Sequence, residues 1–491
     1  MKTKYIKALL PVLIGLILFL LPAPAGLSSA AWRYFAVFAG VVIGLILEPL
    51  PAAAVGFIGV AIVALFGLAS VDPKVTTPDN WISNAFATPL GVQAASIRWA
   101  LSGFADGTVW LIFAAFMFAL GYQKTGLGKR LGLMLVKLLG KNTLGLGYAV
   151  AFSDLILAPF MPSNTARSGG TLFPILRNIP ALYGSEPGPT ARKIGSYIMW
   201  TALSVTCVTS SMFLTALAPN LAGVTQVKNI AKINIEWTQW ATGFLPAGII
   251  LILAVPILAY FLYPPEVKKS ADVPKWAGEE LAKMGAISRN EILMAVMALI
   301  ALVLWIQNLV NGTIVALVVI SLMLVLKIIS WDDVLNNKQA WNVLVWFATL
   351  VALASGLQTI GFTQWIGQGA AQLFAGQSAT TVMILLVVVF FVSHYLFASV
   401  TAHVAAMMPV ILAAGVAVPG MNITVLSLML LYALGLMGII TPYGTGPSPI
   451  YFGSNYVDKK SFWLLGLIFG AIYLAVLLLV ETPYLLMLYP K

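Results

Sequence analysis

Residues 162–170 are Pro-Ser-Asn-Thr-Ala-Arg-Ser-Gly-Gly, and they interrupt a run from 143 to 179 that is otherwise mainly apolar. A straight helix does not tolerate the prolines at 159 and 162 together with this polar string. A second copy, Ser-Val-Thr-Ala-His, occupies residues 399–403, and each copy leads into an apolar stretch that ends in proline. The pattern predicts two re-entrant helical hairpins whose polar tips face each other across one anion site.

Composition sets the class of protein around these hairpins. The chain has 491 residues, of which 60% are hydrophobic and only 9% are charged, whereas soluble domains carry nearer a quarter of charged residues. These values predict an all-α polytopic membrane protein. The net charge of +11 lies in short loops and not in a basic run, which argues against nucleic-acid binding. The single cysteine, Cys207, excludes an intrachain disulfide.

Apolar segments of spanning length predict about 11 transmembrane helices in addition to the two hairpins, which do not cross. Most lysines and arginines fall on one side if the amino terminus is cytoplasmic. We therefore expect a multi-pass protein of the bacterial cytoplasmic membrane with a cytoplasmic amino terminus. This topology opens the first hairpin to the inside and the second to the outside.

An internal repeat supports this arrangement. Ser163 recurs as Ser399 after 236 residues, and an odd number of predicted crossings separates the copies, so the repeat is inverted and its site lies near the membrane midplane. Three glycines recur at a constant offset of 235 residues, namely Gly121, Gly126 and Gly132 as Gly356, Gly361 and Gly367.

The chemistry of the tips favours an anionic ligand. A helix that begins at membrane depth presents free backbone amides and the positive end of its dipole, and a Ser or Thr adds a hydroxyl donor without charge. The alternative is that these hydroxyls merely cap broken helices. The polar break at 441–447 is expected to face the same cavity. The predicted substrate-binding residues are Ser163, Asn164, Thr165, Ser399, Thr401, Gly444, Thr445 and Pro447.

Two cationic residues occupy equivalent positions, four residues after each serine. Arg167 and His403 are predicted to compensate the charge of a bound dianion, because a charge at this depth is costly and usually functional. An ion pair with Asp154 is the alternative for Arg167. A neutral, hydrogen-bonded core histidine is an equal alternative for His403, and His394, outside the pattern, is expected to be structural.

The chain shows no enzyme signature. It lacks the His-Glu-x-x-His, Gly-x-Ser-x-Gly and phosphate-loop motifs, and two histidines with one cysteine do not suggest a metal centre. We therefore expect neither an enzyme nor a cofactor or metal.

The Ser-Asn-Thr tip, the Ser-x-Thr tip and the string Thr-Pro-Tyr-Gly-Thr-Gly-Pro at 441–447 resemble the divalent anion:sodium symporter family. Within that family the chain is similar to the branch of citrate:succinate antiporters and 2-oxoglutarate/malate translocators. The resemblance implies a homodimer in which a transport domain carries substrate across the membrane by an elevator movement against a scaffold domain. It implies that the chain divides into 1–128 (scaffold helices), 129–263 (transport domain with the first hairpin and a broken helix), 264–290 (cytoplasmic linker), 291–376 (scaffold helices) and 377–491 (transport domain with the second hairpin and a broken helix). It also implies carboxylate binding at Ser163, Asn164, Thr165, Ser399 and Thr401.

One departure from the family pattern affects ion coupling. Val400 stands where the sodium-coupled members have a second Asn, which removes an amide from the second tip. With Arg167 and His403 near the places where sodium would supply charge, the sequence predicts sodium-independent exchange of di- and tricarboxylates such as succinate, malate, 2-oxoglutarate or citrate. The alternative is a sodium-coupled dicarboxylate symporter.

Overall fold

The computed structural model describes residues 2–69 and 90–490, and this part of the chain is helical with no β-strand. One isolated bridge pairs Asn142 with Lys269. The helices are α1 (Lys2–Leu20), α2 (Ser29–Leu47), α3 (Ala52–Leu65), α4 (Leu90–Ser102), α5 (Gly107–Thr125), α6 (Leu127–Leu139), α7 (Thr143–Leu157), α8 (Phe173–Leu176), α9 (Gly195–Met212), α10 (Ala218–Ala231), α11 (Trp237–Gly243), α12 (Leu245–Leu262), α13 (Asp272–Lys283), α14 (Arg289–Gln307), α15 (Gly312–Val325), α16 (Trp331–Asn336), α17 (Lys338–Thr359), α18 (Phe362–Leu373), α19 (Ala379–Ser393), α20 (Val400–Val416), α21 (Ile423–Leu436), α22 (Ser448–Gly453), α23 (Lys459–Val476) and α24 (Thr482–Leu488).

The all-helical membrane fold predicted from composition is confirmed. Seven helices of the described residues are long and apolar enough to cross a membrane, or eight if a pair bent by 41° at residue 106 forms one span. Two of the seven are Thr143–Phe160 and Ala379–Leu396, the first arms of the two hairpins. Several other predicted crossings correspond to shorter apolar helices, including Ala52–Leu65 and Gly312–Val325. Length alone therefore selects fewer spans than the eleven predicted, because many helices are short or broken.

The first hairpin has the predicted break. Helix α7 ends at Leu157, and a 3-10 turn at Ala158–Phe160 carries the chain to the tip. The second arm begins as a π-helix at Thr165–Leu172 and continues into α8. Proline at 159 falls where the first arm loses its regular hydrogen bonds, as its ring requires.

The second hairpin repeats this order 236 residues later. Helix α19 begins at Ala379 as α7 begins at Thr143, and a 3-10 turn at His394–Leu396 matches the turn at Ala158–Phe160. The second arm, α20, differs from its counterpart because it is a regular α-helix. The internal repeat is therefore visible in the secondary structure.

A glycine stands at the start of each helix that precedes a hairpin, α6 and α18. Gly126 and Gly361 have φ angles of +80° and +83° and stand at the N-caps of α6 and α18. Only glycine adopts this left-handed conformation without steric cost. The two glycines therefore have the same role at equivalent positions of the repeat. Helices α6 and α18 are also equivalent, although the predicted domain boundaries place them in different regions.

The first broken helix is interrupted before Pro219. Helix α9 ends at Met212, a 3-10 turn covers Leu214–Ala216, and α10 begins at Ala218. Proline is well tolerated in the first turn of a helix, where its missing N–H has no intrahelical partner, so Pro219 starts α10.

The centre of the molecule is formed by α9 and α21, which pack against each other. From Val425 to Leu436, α21 is buried on every side, and α9 is buried from Gly195 to Ser211. A helix that is buried all round belongs to the core of a large protein. Both broken helices therefore approach the two hairpins from within the core.

Candidate functional site

At the first tip, Ser163 caps the second arm of the hairpin. Its Oγ accepts a hydrogen bond from Ala166 N at 3.2 Å, and its carbonyl oxygen accepts one from Arg167 N at 2.8 Å. Ser163 is thus the capping residue of this arm. Capping uses the hydroxyl only as an acceptor, so its hydrogen stays available for a carboxylate.

The second tip has the same geometry. Ser399 is the N-cap of α20, with its Oγ accepting from Ala402 N at 3.5 Å. Its carbonyl accepts from His403 N at 3.1 Å, as that of Ser163 accepts from Arg167. The capping function is thus shared by both serines, and it is compatible with donation of either hydroxyl to a ligand.

The first hairpin is fixed to the first broken helix by backbone and hydroxyl contacts. Ala218 N donates to Pro162 O at 2.8 Å, and Thr215 Oγ1 donates to Pro159 O at 2.6 Å. Both carbonyls lie around the point where the first arm ends. The end of this arm therefore obtains from the broken helix the partners that its own helix cannot supply.

Asn164 joins the first tip to the broken segment of the second repeat. Its Nδ2 lies 2.8 Å from Thr445 Oγ1 and 3.4 Å from Ser210 Oγ. The Asn164 side chain is buried, and so is Thr445. This contact brings two predicted site residues together across 281 positions of sequence.

Gly446 lies in contact with the same tip and is not among the residues predicted for the site. A Cβ atom at Gly446 would lie 1.8 Å from Thr165 Oγ1, which no side chain allows. Thr165 itself is only partly buried, and Gly444 and Pro447 are buried on either side of this contact. Glycine at 446 thus permits the close approach of segment 441–447 to the first tip.

Arg167 is an internal counterion, as the alternative interpretation of the sequence proposed. Its Nε lies 3.1 Å from Asp154 Oδ2, and both side chains are buried. The guanidinium also donates to Met161 O and Ala216 O, each at 2.8 Å, and lies within 3.4 Å of hydroxyls on α9. The positive charge of Arg167 is therefore balanced inside the protein, and direct compensation of a dianion by this residue is not supported by the geometry.

His403 lies in an aromatic environment. Its ring stacks on Phe390 and Phe397, with centroids 4.4 and 4.8 Å away, and its Nε2 lies 3.2 Å from Ser393 Oγ. The second histidine, His394, has its centroid 5.1 Å away. Two stacked aromatic rings and one hydroxyl partner suit a neutral imidazole, which agrees with the core-histidine alternative.

His394 has a specific partner that no sequence pattern predicts. Its Nε2 donates to Gly444 O at 2.7 Å, and its ring is fully buried. In the first repeat, Arg167 donates to Ala216 O in the same way, from hairpin to broken helix. In each repeat, a hairpin side chain therefore donates a hydrogen bond to a carbonyl oxygen of the broken helix.

The two tips are linked through segment 441–447. In the described part of the chain, no hydrogen bond joins residues 163–165 directly to residues 399–401. His394 holds Gly444, and the adjacent Thr445 receives Asn164. Ser399 and Thr401 are partly exposed. Among the predicted site residues, Asn164 and Thr445 therefore make the hydrogen bond that joins the two repeats.

Comparison with known proteins shows the family to which the chain belongs. A family model described as the sodium:sulfate symporter transmembrane region matches residues 2–489. The chain belongs to the divalent anion:sodium symporter family. It is thus a multi-pass membrane transporter and not an enzyme, as the sequence predicted.

Two sequence relatives and one solved structure are similar to most of the chain. Proteins named L-tartrate/succinate antiporter from Shigella sonnei (strain Ss046) and Escherichia coli (strain K12) are each 47% identical over 481 residues, which is 97% of this chain and 97% of theirs. The crystal structure of the Alcanivorax borkumensis YdaH transporter covers 89% of this chain and 99% of its own, with a TM-score of 0.58 and 16% identity. That likeness shows the fold alone.

A cavity of about 400 Å³ reaches the second arm of the first hairpin. It contacts Ala166, the residue after Thr165, from between α5 and the start of α17. Thr165 and Ala166 are the partly exposed residues of a tip that is otherwise buried from Met161 to Gly169. A ligand that entered this cavity would therefore meet the tip at Ala166, whereas Asn164 is buried.

Proposed function

We propose that this transporter exchanges dicarboxylates of the succinate and tartrate class across the cytoplasmic membrane without sodium coupling. The observation that carries the proposal is the contact between Asn164 and Thr445, which gathers donors from both repeats at one point. The relatives named L-tartrate/succinate antiporter, 47% identical over nearly the whole chain, support the substrate class and the exchange mode. Malate, 2-oxoglutarate and citrate belong to the same chemical class and are further candidate substrates.

The site would bind a carboxylate by donors and helix ends. The hydroxyls of Ser163, Thr165 and Thr445, with the amide of Asn164, would bind one carboxylate. Ser399 and Thr401 at the start of α20 would bind the other. Backbone N–H groups and the dipole of a helix N-terminus favour negative charge at both ends.

Sodium independence rests on the second tip. Val400 is an apolar residue that is 4% exposed, directly between the two predicted ligands Ser399 and Thr401. It offers no side-chain oxygen for a hard cation, which needs oxygen ligands. The sodium-coupled symporter remains the second candidate because the first tip keeps its complete Ser-Asn-Thr sequence.

Exchange follows in this proposal from the cost of moving an empty site. Without substrate, the hydroxyls and free amides at the tips would lose water during the crossing and gain no partner, which costs free energy for each group. A bound dicarboxylate supplies those partners. The loaded carrier would therefore cross readily and the empty carrier slowly. This explanation of exchange does not require an unpaired charge on Arg167.

The proposed movement is an elevator movement of the hairpins and broken helices against a scaffold in a homodimer with cytoplasmic amino termini. Helices α6 and α18 occupy equivalent positions in the repeat, and each packs on its own hairpin region, α6 on α7 and α18 on α20. We therefore expect α6 and α18 to move in the same way relative to their hairpins, whichever domain each belongs to.

Efflux of labelled succinate from liposomes that contain the purified protein tests this function. The proposal predicts efflux only when an external dicarboxylate is present, at the same rate in sodium-free and sodium-containing buffer. A sodium requirement would support the symporter instead. Absence of transport with every carboxylate would overturn the substrate class.

A further inference from the structure

The cavity that reaches the first tip has a lining of its own. It measures about 400 Å³ and lies between α5, Ala166 and the junction of α16 with α17. Helix α5 contributes an apolar wall and Gln123, and the junction contributes the polar residues Asp333, Asn336 and Lys338. A volume of this order lies within the range of small-molecule sites. None of these side chains is among the hairpin residues of the proposed substrate site.

The charges around this cavity favour an anion. Lys124 and Asp333 form an ion pair with each other, so they cancel. Lys338 is exposed and has no ion pair among the described residues. It is the first residue of α17, so the positive end of that helix adjoins it. The cavity therefore has an uncompensated positive charge in its wall.

Neutral donors complete the lining. The amide side chains of Gln123, Asn336 and Gln339 border the same space. Gln123 also lies next to the hairpin, since a Cβ on Gly170 would stand 3.6 Å from its Nε2. Amides can orient a carboxylate that a lysine attracts without adding charge. Ala166 also lines the cavity, and it directly follows Thr165 in the chain.

We propose that this cavity is an access site for dicarboxylate anions, in which Lys338 attracts the substrate before it reaches the first tip. The inference rests on the proposed function, because it assigns a second binding position to the same substrate. Lys338 is solvent-exposed, so the attraction is screened by salt. A charge that focuses an anionic substrate changes its local concentration and its rate of arrival, and thus the KM of exchange and not the rate of the carrier movement.

Kinetics on vesicles of defined orientation test this site. Succinate uptake is measured at low ionic strength in inside-out and right-side-out membrane vesicles, for the wild type, K338Q, K338E and K338R. We expect K338Q to raise KM about threefold to tenfold on the face to which the cavity opens, K338E to raise it further, and K338R to stay near the wild type. The maximal rate should change little, and added salt should remove most of the difference.

A matched control comes from α13. Lys275 is another exposed lysine of the chain and does not line the cavity, so K275Q should leave KM unchanged. A wild-type KM for both K338Q and K338E at low ionic strength would overturn the access site. If the wild type itself exchanged no dicarboxylate, the proposed function would fail instead, so the two failures are distinguishable.

Chemical modification gives a measure that does not depend on turnover. Cys207 is the chain's single cysteine and is buried, so N336C places one accessible thiol at the cavity and keeps Lys338. We expect succinate to slow the reaction of N336C with a negatively charged methanethiosulfonate reagent and to leave the reaction of K275C unchanged. Equal rates for N336C with and without succinate would contradict the proposal.

Discussion

Asn164 Nδ2 lies 2.8 Å from Thr445 Oγ1, and through this hydrogen bond the first hairpin contacts the broken helix of the opposite repeat. Both side chains are buried. Hairpin tip and broken helix thus share one polar contact in the core of the protein. Substitutions at this point separate a role in substrate binding from a role in packing.

Removal of the Thr445 hydroxyl should impair exchange. In T445V the Asn164 amide loses its nearest partner, and an unsatisfied buried donor costs about 1–3 kcal/mol. This cost corresponds to roughly fivefold to a hundredfold in affinity for a site that the amide helps to form. We expect a higher KM for succinate exchange in liposomes. T445S retains the hydroxyl and should stay near the wild type. Equal kinetics for T445V and T445S would show that the hydroxyl has no role.

Substitution of Arg167 should destabilise the protein. Loss of one partner of a buried ion pair leaves the other charge uncompensated, at a cost of about 3–5 kcal/mol. Thermal unfolding in detergent should therefore show a large fall in the melting temperature for R167M and for D154L. The double variant R167M/D154L should recover part of the loss, because neither charge then remains alone.

The same variants test whether Arg167 interacts with substrate. If R167M kept the wild-type melting temperature but lost succinate binding, Arg167 would be a counterion of the ligand and not of Asp154. That result would contradict the structural pairing of the two residues.

A methyl group at position 446 should separate the first tip from segment 441–447. In G446A the new Cβ would overlap Thr165 Oγ1, at 1.8 Å in the present geometry, so one of the two segments must move. We expect loss of exchange and a lower melting temperature. Gly453 is the matched control because a Cβ there meets no atom within 4 Å. Normal exchange by G446A would show that the approach is not required.

The ion pair between Lys124 and Asp333 should respond to pH only in acid. The hydrogen bond from Lys124 is the main cause that lowers the pKa of Asp333 from 3.8 to about 2, and the Ser330 N–H and hydroxyl assist. A carboxyl whose pKa is lowered in the folded state contributes stability above its unfolded pKa, and this contribution is lost as the pH falls towards the folded value. The difference in thermal stability between the wild type and D333N should therefore be constant from neutral pH to about pH 5. It should shrink below about pH 4, and a change near neutral pH would contradict the pairing.

Much of the fold was predictable because it follows from local rules. Prolines within an apolar run, and serines followed by alanine amides, identify hairpin tips and caps wherever they occur. The left-handed N-caps at Gly126 and Gly361 appear as recurring glycines at a fixed spacing. The family resemblance, confirmed over residues 2–489, rests on the same local strings.

The contacts that decide the site were not predictable in this way. Nothing local to Arg167 determines whether its partner is Asp154 or a ligand, and nothing local to His394 identifies Gly444 O, 50 positions later. The same holds for Gly446, whose close approach to Thr165 depends on the packing of two repeats. Such pairs depend on tertiary structure, which periodicity and spacing do not specify.

The most direct test of the proposed substrate site is a structure of the protein with succinate bound. We predict density for one carboxylate within hydrogen-bond distance of Ser163, Asn164 and Thr445, and for the other near Ser399 and Thr401. No cation density should stand beside Val400, and Arg167 should remain paired with Asp154. Succinate bound elsewhere, or bound through the Arg167 guanidinium, would contradict the assignment of the site.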